Sequence, residues 1–406
     1  EERSKGDGAT STRVNGIFRG LRQLFDEDAI VPGWFDELVF PTMLAYYTYR
    51  LGTKSTHADE VKRALKRLRK GTKSECKKRI YGRKACQETV RKYLNEKEPN
   101  YYVVVSSPKG IGKSTIINHV LCSEERVVGV FHAVVDGTEN SIDDSIAQSL
   151  GASLERIETR SSEFNREVLQ LFQETHNILP VLILDIRSFQ GLTREERQEK
   201  VFQVGQVMKY YTSDTNSALC IADMSSITAS EFQQDPRVRF VYVPELNEKE
   251  THLFLNHEFQ KELDSIDVPV ENVFQSVGGN CALLQNLIRP YTDGASLEER
   301  IDVVLRAAKM QVEGYLDEYP AHRQALAALV DAGYEDTNEG SMDTGLYLNI
   351  IRRDLKEGQF VDADTLQSAS SKHAVFYLDR QSNTVVFHTR SHYQMAKAIV
   401  KHQLPI

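Results

Sequence analysis

Long apolar runs are missing from this chain of 406 residues. The nearest, WFDELVFPTMLAYYTYRLG at 34–52, is broken by Asp36, Glu37, Pro41 and Arg50, so it reads as buried helix and not as a membrane span. Cysteine is scarce and scattered: Cys76, Cys86, Cys122, Cys220 and Cys281 are odd in number, lack CxxC spacing and predict neither a disulfide framework nor a zinc site. That usage fits an intracellular, reducing compartment. An overall basic field is also lacking, because the net charge is −8. No internal repeat, low-complexity tract or nuclease signature occurs. What remains is ordinary globular composition, 40% hydrophobic and 27% charged, with length for two or three domains.

The charge is uneven. Residues 62–84, KRALKRLRKGTKSECKKRIYGRK, hold twelve Lys or Arg against one Glu. Lys62, Arg63, Lys66, Arg67, Arg69 and Lys70 fall on a helix predicted over 57–70, whose other face is Val61, Ala64, Leu65 and Leu68. This reads either as a solvated face, as a nuclear-import signal, or as a patch contacting DNA or RNA phosphates. Further helices are predicted at 14–25 and 36–51, behind a polar stretch at 1–12 expected to be disordered.

From about 80 to 245 the pattern alternates. Apolar, β-rich runs at 101–105, 127–135, 181–184, 218–222 and 238–243 are separated by helical stretches at 114–122, 141–151, 162–176 and 195–211. Continuous apolar strands joined by helical crossovers predict a parallel sheet covered on both faces. From 247 to about 330 the chain reads as helix. Beyond it come a helix at 345–356, a hairpin with strands near 374–378 and 384–388, and a last helix at 391–402. Helices followed by a hairpin predict a winged-helix domain.

The chemistry concentrates in SSPKGIGKST at 106–115, directly behind the apolar run YYVVV. Ser107, Pro108, Lys109, Gly110, Ile111, Gly112, Lys113 and Ser114 match the phosphate-binding pattern GxxxxGK[ST] at every position but the first, where Ser stands for Gly. Such a loop aims successive backbone N–H groups at a phosphate before a helix N-terminus. Gly110 and Gly112 permit the backbone to turn and approach closely. Lys113 would reach the terminal phosphates and Ser114 a Mg²⁺ ion. The acid for that metal would be Asp185, at the end of VLILD, where carboxyl ends of parallel strands converge. Ile186 follows it, where a water-orienting carboxylate is usual, so slow hydrolysis, an acid from elsewhere, or binding alone all stay open. Asp223, ending ALCIAD, either faces the γ-phosphate and its water or finishes a strand. Arg237 would serve a neighbouring subunit's nucleotide as a finger or remain a solvated cation. Tyr81 either covers an adenine ring or packs into core, and Arg83 lies near the start of the helix before the loop.

Taken in order, these segments resemble the P-loop ATPases of the AAA+ and STAND group, with archaeal-ATPase-like and origin-recognition-like members. YGRKACQETVRKYL resembles the GRE box that opens them. VVVSSPKGIGKSTIINHVL resembles their Walker A strand, loop and helix, and VLILD their Walker B strand. FVYVPELNEKETHLFL and VFQSVGGNCALLQNLI are similar to the lid entry and lid turn. The resemblance spans about 80–295. It implies ATP or ADP with Mg²⁺, held by Gly112, Lys113, Ser114, Thr115 and Asp185, with Thr115 toward the α-phosphate. It also implies adenine over guanine, since no NKxD motif is present. Ser107, Ile186 and Cys281 depart from the family pattern, and no second sensor arginine carries over.

The expected organisation is a helical, basic region at 1–78, a P-loop α/β core at 79–246, a helical lid at 247–318 and a winged-helix-like domain at 319–406. Three functions fit: an ATP-driven conformational switch of low turnover, a nucleic-acid-binding scaffold, or a protein-interaction module whose nucleotide site hydrolyses poorly. A homo-oligomer or protein partner fits each of them, and a membrane none.

Overall fold

The computed structural model describes residues 57–71, 79–124, 128–136, 141–187, 189, 192–225, 228–229, 232, 235–264, 270–289, 296–333, 341–355, 361–379 and 383–401. The helices expected at 14–25 and 36–51, the stretch 1–12, and Lys73, Lys77 and Lys78 lie outside them. Residues Glu60–Ile406 form one compact unit.

Five parallel strands make the central sheet: β1 (Tyr102–Ser107), β2 (Val130–Val135), β3 (Val181–Ile186), β4 (Leu219–Ser225) and β5 (Val238–Tyr242), in the order β2-β3-β4-β1-β5. Side chains alternate across a strand, so each apolar run feeds two cores. Val103, Val105, Val181, Ile183, Leu219 and Ile221 face one layer with α2 (Lys84–Leu94) and α3 (Lys113–Ser123). Val104, Leu182, Leu184, Ile186, Cys220 and Ala222 face the other. That second layer holds α1 (57–70), α4 (Ile142–Ser149), α5 (Ser161–His176) and α6 (Arg194–Lys209). Asp185 and Asp223 are register partners on neighbouring strands and lie on the α3 face, with Val103 and Val105. Ile186, one residue on, points the other way and is buried.

A helical lid follows: α7 (Glu248–Glu258), α8 (Gln260–Leu263), α9 (Val270–Val277), α10 (Cys281–Ile288) and the long α11 (Leu297–Glu318). It closes over its own core of Phe254, Leu255, Val273, Val277, Leu284 and Leu287. Helix α7 opens with a capping box in which Asn247 and Glu250 satisfy each other's backbone N–H groups. The last domain runs α12 (Arg323–Asp331), β6 (Ser341–Asp343), α13 (Thr344–Asp354), α14 (Ala363–His373), β7 (Phe376–Asp379), β8 (Thr384–Phe387) and α15 (Arg390–Lys401). Its three-stranded antiparallel sheet has the order β6-β8-β7, with helices before and after the β7–β8 hairpin. Among the described residues the expected strands and helices are present; β6 and α14 were not anticipated. Helix α15 returns to the lid, where Arg390 Nη2 donates to Gln275 Oε1 at 2.7 Å and Gln394 Nε2 to the Gln275 carbonyl at 3.1 Å.

Cys122, on α3, is disulfide-bonded. Connectivity cannot be read from spacing alone. Cys86, Cys220 and Cys281 are free thiols. No described helix is long and apolar enough to cross a membrane.

Candidate functional site

The segment between β1 and α3 is a tight bend held from below and covered from above. Ile111 is fully buried in the core between sheet and α3 and anchors the bend. Gly110 and Gly112 take φ of 89° and 104°, left-handed values that side chains resist. Ser107, where the pattern has Gly, stays within β1, and its hydroxyl donates to the Pro108 carbonyl at 2.9 Å. Helix α3 starts from Gly112 with no side-chain cap and no acid in its first turn. Helices α6, α7 and α11 close their N-termini with Thr193–Glu196, Asn247–Glu250 and Ser296–Glu299 boxes. The first amides of α3 lack such a side chain, which is what an anion at a helix N-terminus requires.

Three charged side chains converge beside this bend. Asp223 Oδ2 accepts from Ser114 Oγ at 2.5 Å, and Asp223 Oδ1 lies 3.8 Å from Lys113 Nζ. Burial pushes the Asp223 carboxyl up, against the downward pull of Lys113 and Ser114, and Asp185 adds a further upward push. Burial lowers Lys113, while Asp223 and then Asp185 raise it. Asp185 stands in register beside Asp223, one strand farther from β1. Among the described residues no cluster of three or more His, Cys, Asp or Glu forms a metal cage. Two carboxylates and one hydroxyl, completed by phosphate oxygens, are nonetheless a donor set that Mg²⁺ favours, so the residues present fit that ion.

The cover comes from three places. From the lid, Asn280 Nδ2 donates to the Lys109 carbonyl at 2.9 Å and the Ala282 N–H to the Gly110 carbonyl at 3.0 Å. A Cβ built on Gly110 would sit 2.7 Å from Ala282 Cβ, so this approach requires glycine. From the segment before α2, Arg83 adopts φ 58° and sends its guanidinium between bend and lid, with Nη2 3.8 Å from Cys281 Sγ. Its N–H donates to Glu250 Oε1 at 3.3 Å, while Glu250 Oε2 accepts from the Asn247 N–H at 3.2 Å. From the C-terminal domain, His388 follows β8 and lies within the field of Lys113.

Of the residues singled out in the sequence, 107–115, Asp223, Asp185 and Arg83 are brought together. Tyr81 packs on the lid instead: its hydroxyl donates to Glu258 at 2.8 Å and its ring meets Phe254 edge-on at 5.5 Å. Arg237 lies at the amino end of the sheet, where its carbonyl accepts from the Tyr102 N–H and its guanidinium pairs with Asp214 at 3.2 Å. It does not reach its own chain's bend. Sequence reasoning missed Asn280 and His388. Asn280 carried a usable signal, an N-cap before an apolar helix, and does cap α10. His388, 275 residues from Lys113, carried none.

His388 and His392 give the domain docking a pH dependence. Burial, then Lys113, holds His388 down to about 4; burial, then His388, holds His392 down to about 3. The unfolded chain takes up these protons near pH 6.5, and the folded chain only at those lower values. Stability is therefore full above about pH 6.5 and falls as pH drops toward 4, by about 1.4 kcal/mol per unit for each histidine. Melting curves from pH 7 to 4.5 should show this decline, and the His388→Gln/His392→Gln pair should flatten it. An equal slope in that variant would discount both imidazoles.

No family model matches the chain and no curated protein matches its sequence. Solved structures similar to it include Cdc6p from Pyrobaculum aerophilum, at 13% identity and TM-score 0.37, covering 82% of this chain and 98% of that one. The ADP form of the Aeropyrum pernix ORC2 protein is similar at 13% identity and TM-score 0.38, covering 80% and 95%. A STAND protein with a tetratricopeptide repeat sensor from Pyrococcus horikoshii is similar at 13% and 0.34, covering 82% and 44%. The chain's own sheet order, the bend behind its β1, the acids on β3 and β4 and the helical lid together make up the P-loop NTPase α/β fold.

Proposed function

We propose that the chain is an adenine-nucleotide-dependent conformational switch of low turnover. The observation that carries this reading is the convergence of three parts on one bend: the α/β core supplies it, the lid hydrogen-bonds to its Lys109 and Gly110 carbonyls, and His388 sits in the field of Lys113. The amides of 110–113 and Lys113 would take the phosphates. Ser114, Asp223 and Asp185 would hold Mg²⁺, which supplies charge neutralisation at the phosphoryl oxygens. Asp223 must then release Ser114 and Lys113, so ligand and apo arrangements differ at the residues that the lid and winged-helix domain cover. A nucleotide shifts the two arrangements by its differential affinity for them.

Ile186 is packed into the opposite layer and cannot orient water. A second reading, a site that binds without turnover, draws on the same Ile186.

The test is titration of fluorescent ADP and ATP analogues, with phosphate release followed in parallel. ATP turnover should be low and should fall at least about tenfold in Asp223→Asn, with ADP affinity within about fivefold of the parent. Wild-type protein that ignores both nucleotides at millimolar concentration would sink the switch; binding without any phosphate release would leave the second reading in its place.

A further inference from the structure

We propose that the outward face of α1 binds the phosphate backbone of nucleic acid, independently of the nucleotide site. The basic segment of the sequence is split by the fold. Arg83 turns to the bend and Arg79 meets His257 at 3.2 Å, leaving α1 with a separate row.

Helix α1 packs one stripe inward. Val61, Ala64 and Leu68 are 7%, 0% and 0% exposed, and Leu65 joins the same core. Its end is tied down where the Gly129 N–H donates to the Leu68 carbonyl at 3.0 Å. Every other position from 62 to 70 is an exposed cation: Lys62, Arg63, Lys66, Arg67, Arg69 and Lys70. The neighbouring acid, Glu60, is 1% exposed and engaged inward, accepting from the Ser153 N–H at 3.1 Å and from Arg63 at 2.9 Å. No acid therefore interrupts the row.

The occupant follows from what the face has and lacks. Interfacial membrane helices insert an apolar face, and here that face is already core. Protein interfaces carry aromatic and aliphatic centres and are poor in lysine, whereas this face is lysine and arginine throughout. Phosphate backbones are taken up by such cations without base contacts. Lys62, Lys66 and Lys70 recur every fourth residue, about 12 Å end to end, across several charges of a strand that carries one per 3.4 Å or so. None of the three has an ion-pair partner among the described residues. The chain's net charge of −8 supplies no general attraction for a phosphate backbone, so attachment there would rest on a local row of cations.

Fluorescence anisotropy of the full chain with labelled 20-mers of two unrelated sequences, single- and double-stranded, tests this between 50 and 200 mM salt. Binding should be indifferent to sequence and fall steeply with salt. The Lys62→Gln/Lys66→Gln/Lys70→Gln variant should reduce the slope of log K against log salt by about 3 and weaken binding at least about 30-fold at 100 mM, with an unchanged melting curve. Lys113→Ala should bind DNA as the parent does. No retention at 50 mM, an unaltered triple variant, loss of binding in Lys113→Ala, or competition by phosphatidylserine vesicles or polyglutamate at equal charge would each overturn the assignment.

Discussion

Lys113→Ala is expected to weaken binding of a fluorescent ADP analogue by about 100-fold or more, a loss near 2.8 kcal/mol. The size follows from position. The Lys113 side chain is only 12% exposed, so its charge acts where water screens little, and charge-assisted hydrogen bonds there are worth about 1.5–3 kcal/mol each. It faces Asp223, which keeps its bond from Ser114 when the lysine is gone, so the fold should survive. Thermal melts give the second reading. Saturating nucleotide at 100 times Kd should stabilise the parent by about 2.7 kcal/mol and the variant hardly at all. Parent-like affinity in Lys113→Ala would remove nucleotide from the bend altogether.

The second large effect is structural. Gly279→Ala should cost about 3 kcal/mol and lower the melting temperature by several degrees. A Cβ on Gly279 would sit 1.9 Å from the Leu246 carbonyl oxygen and 2.6 Å from the Leu246 carbonyl carbon and nitrogen. All three are backbone atoms, and the Leu246 N–H also donates to the Gly279 carbonyl at 3.1 Å. No rotamer can relieve this contact, so the lid turn must part from the chain leaving β5. Asn280 rides on the same turn, so nucleotide affinity should change as well. Gly314→Ala is the contrast. It sits within α11, its nearest neighbour to a built Cβ is 3.7 Å away, and alanine there should be neutral or stabilising by up to about 1 kcal/mol. Two alanine variants with the same melting temperature would contradict the steric account.

The core of the fold was legible because its signals are local. Five apolar runs in a helix-alternating chain have one stable outcome, and GIGKS behind YYVVV marks the bend at the end of β1. Its place at the carboxyl end of an apolar run also made Asp185 readable, although its pairing with Asp223 needed the register. What escaped depends on distance or on short elements. Strand β6 is three residues long with a single buried side chain, Met342, and no alternation to detect. His388 comes within the electrostatic influence of Lys113 only through the fold, from a place far along the chain that no local pattern marks. Tyr81 offered a ring of the right type, but Phe254 and Glu258, on α7, claim it. Arg237 stands one strand length from the bend, because the run it precedes points its other end there.

Glu250 ties two parts with one carboxylate, Oε2 to the start of α7 and Oε1 to the Arg83 amide. A Cβ on Gly82 would fall 1.4 Å from that Oε1, so the two strands of chain are pressed together at this point. The lid cannot pivot about its first turn without either dragging the arginine off the bend or baring the helix's leading amides. Any rotation of the lid about this turn would therefore carry the Arg83 guanidinium with it, across the mouth of the bend.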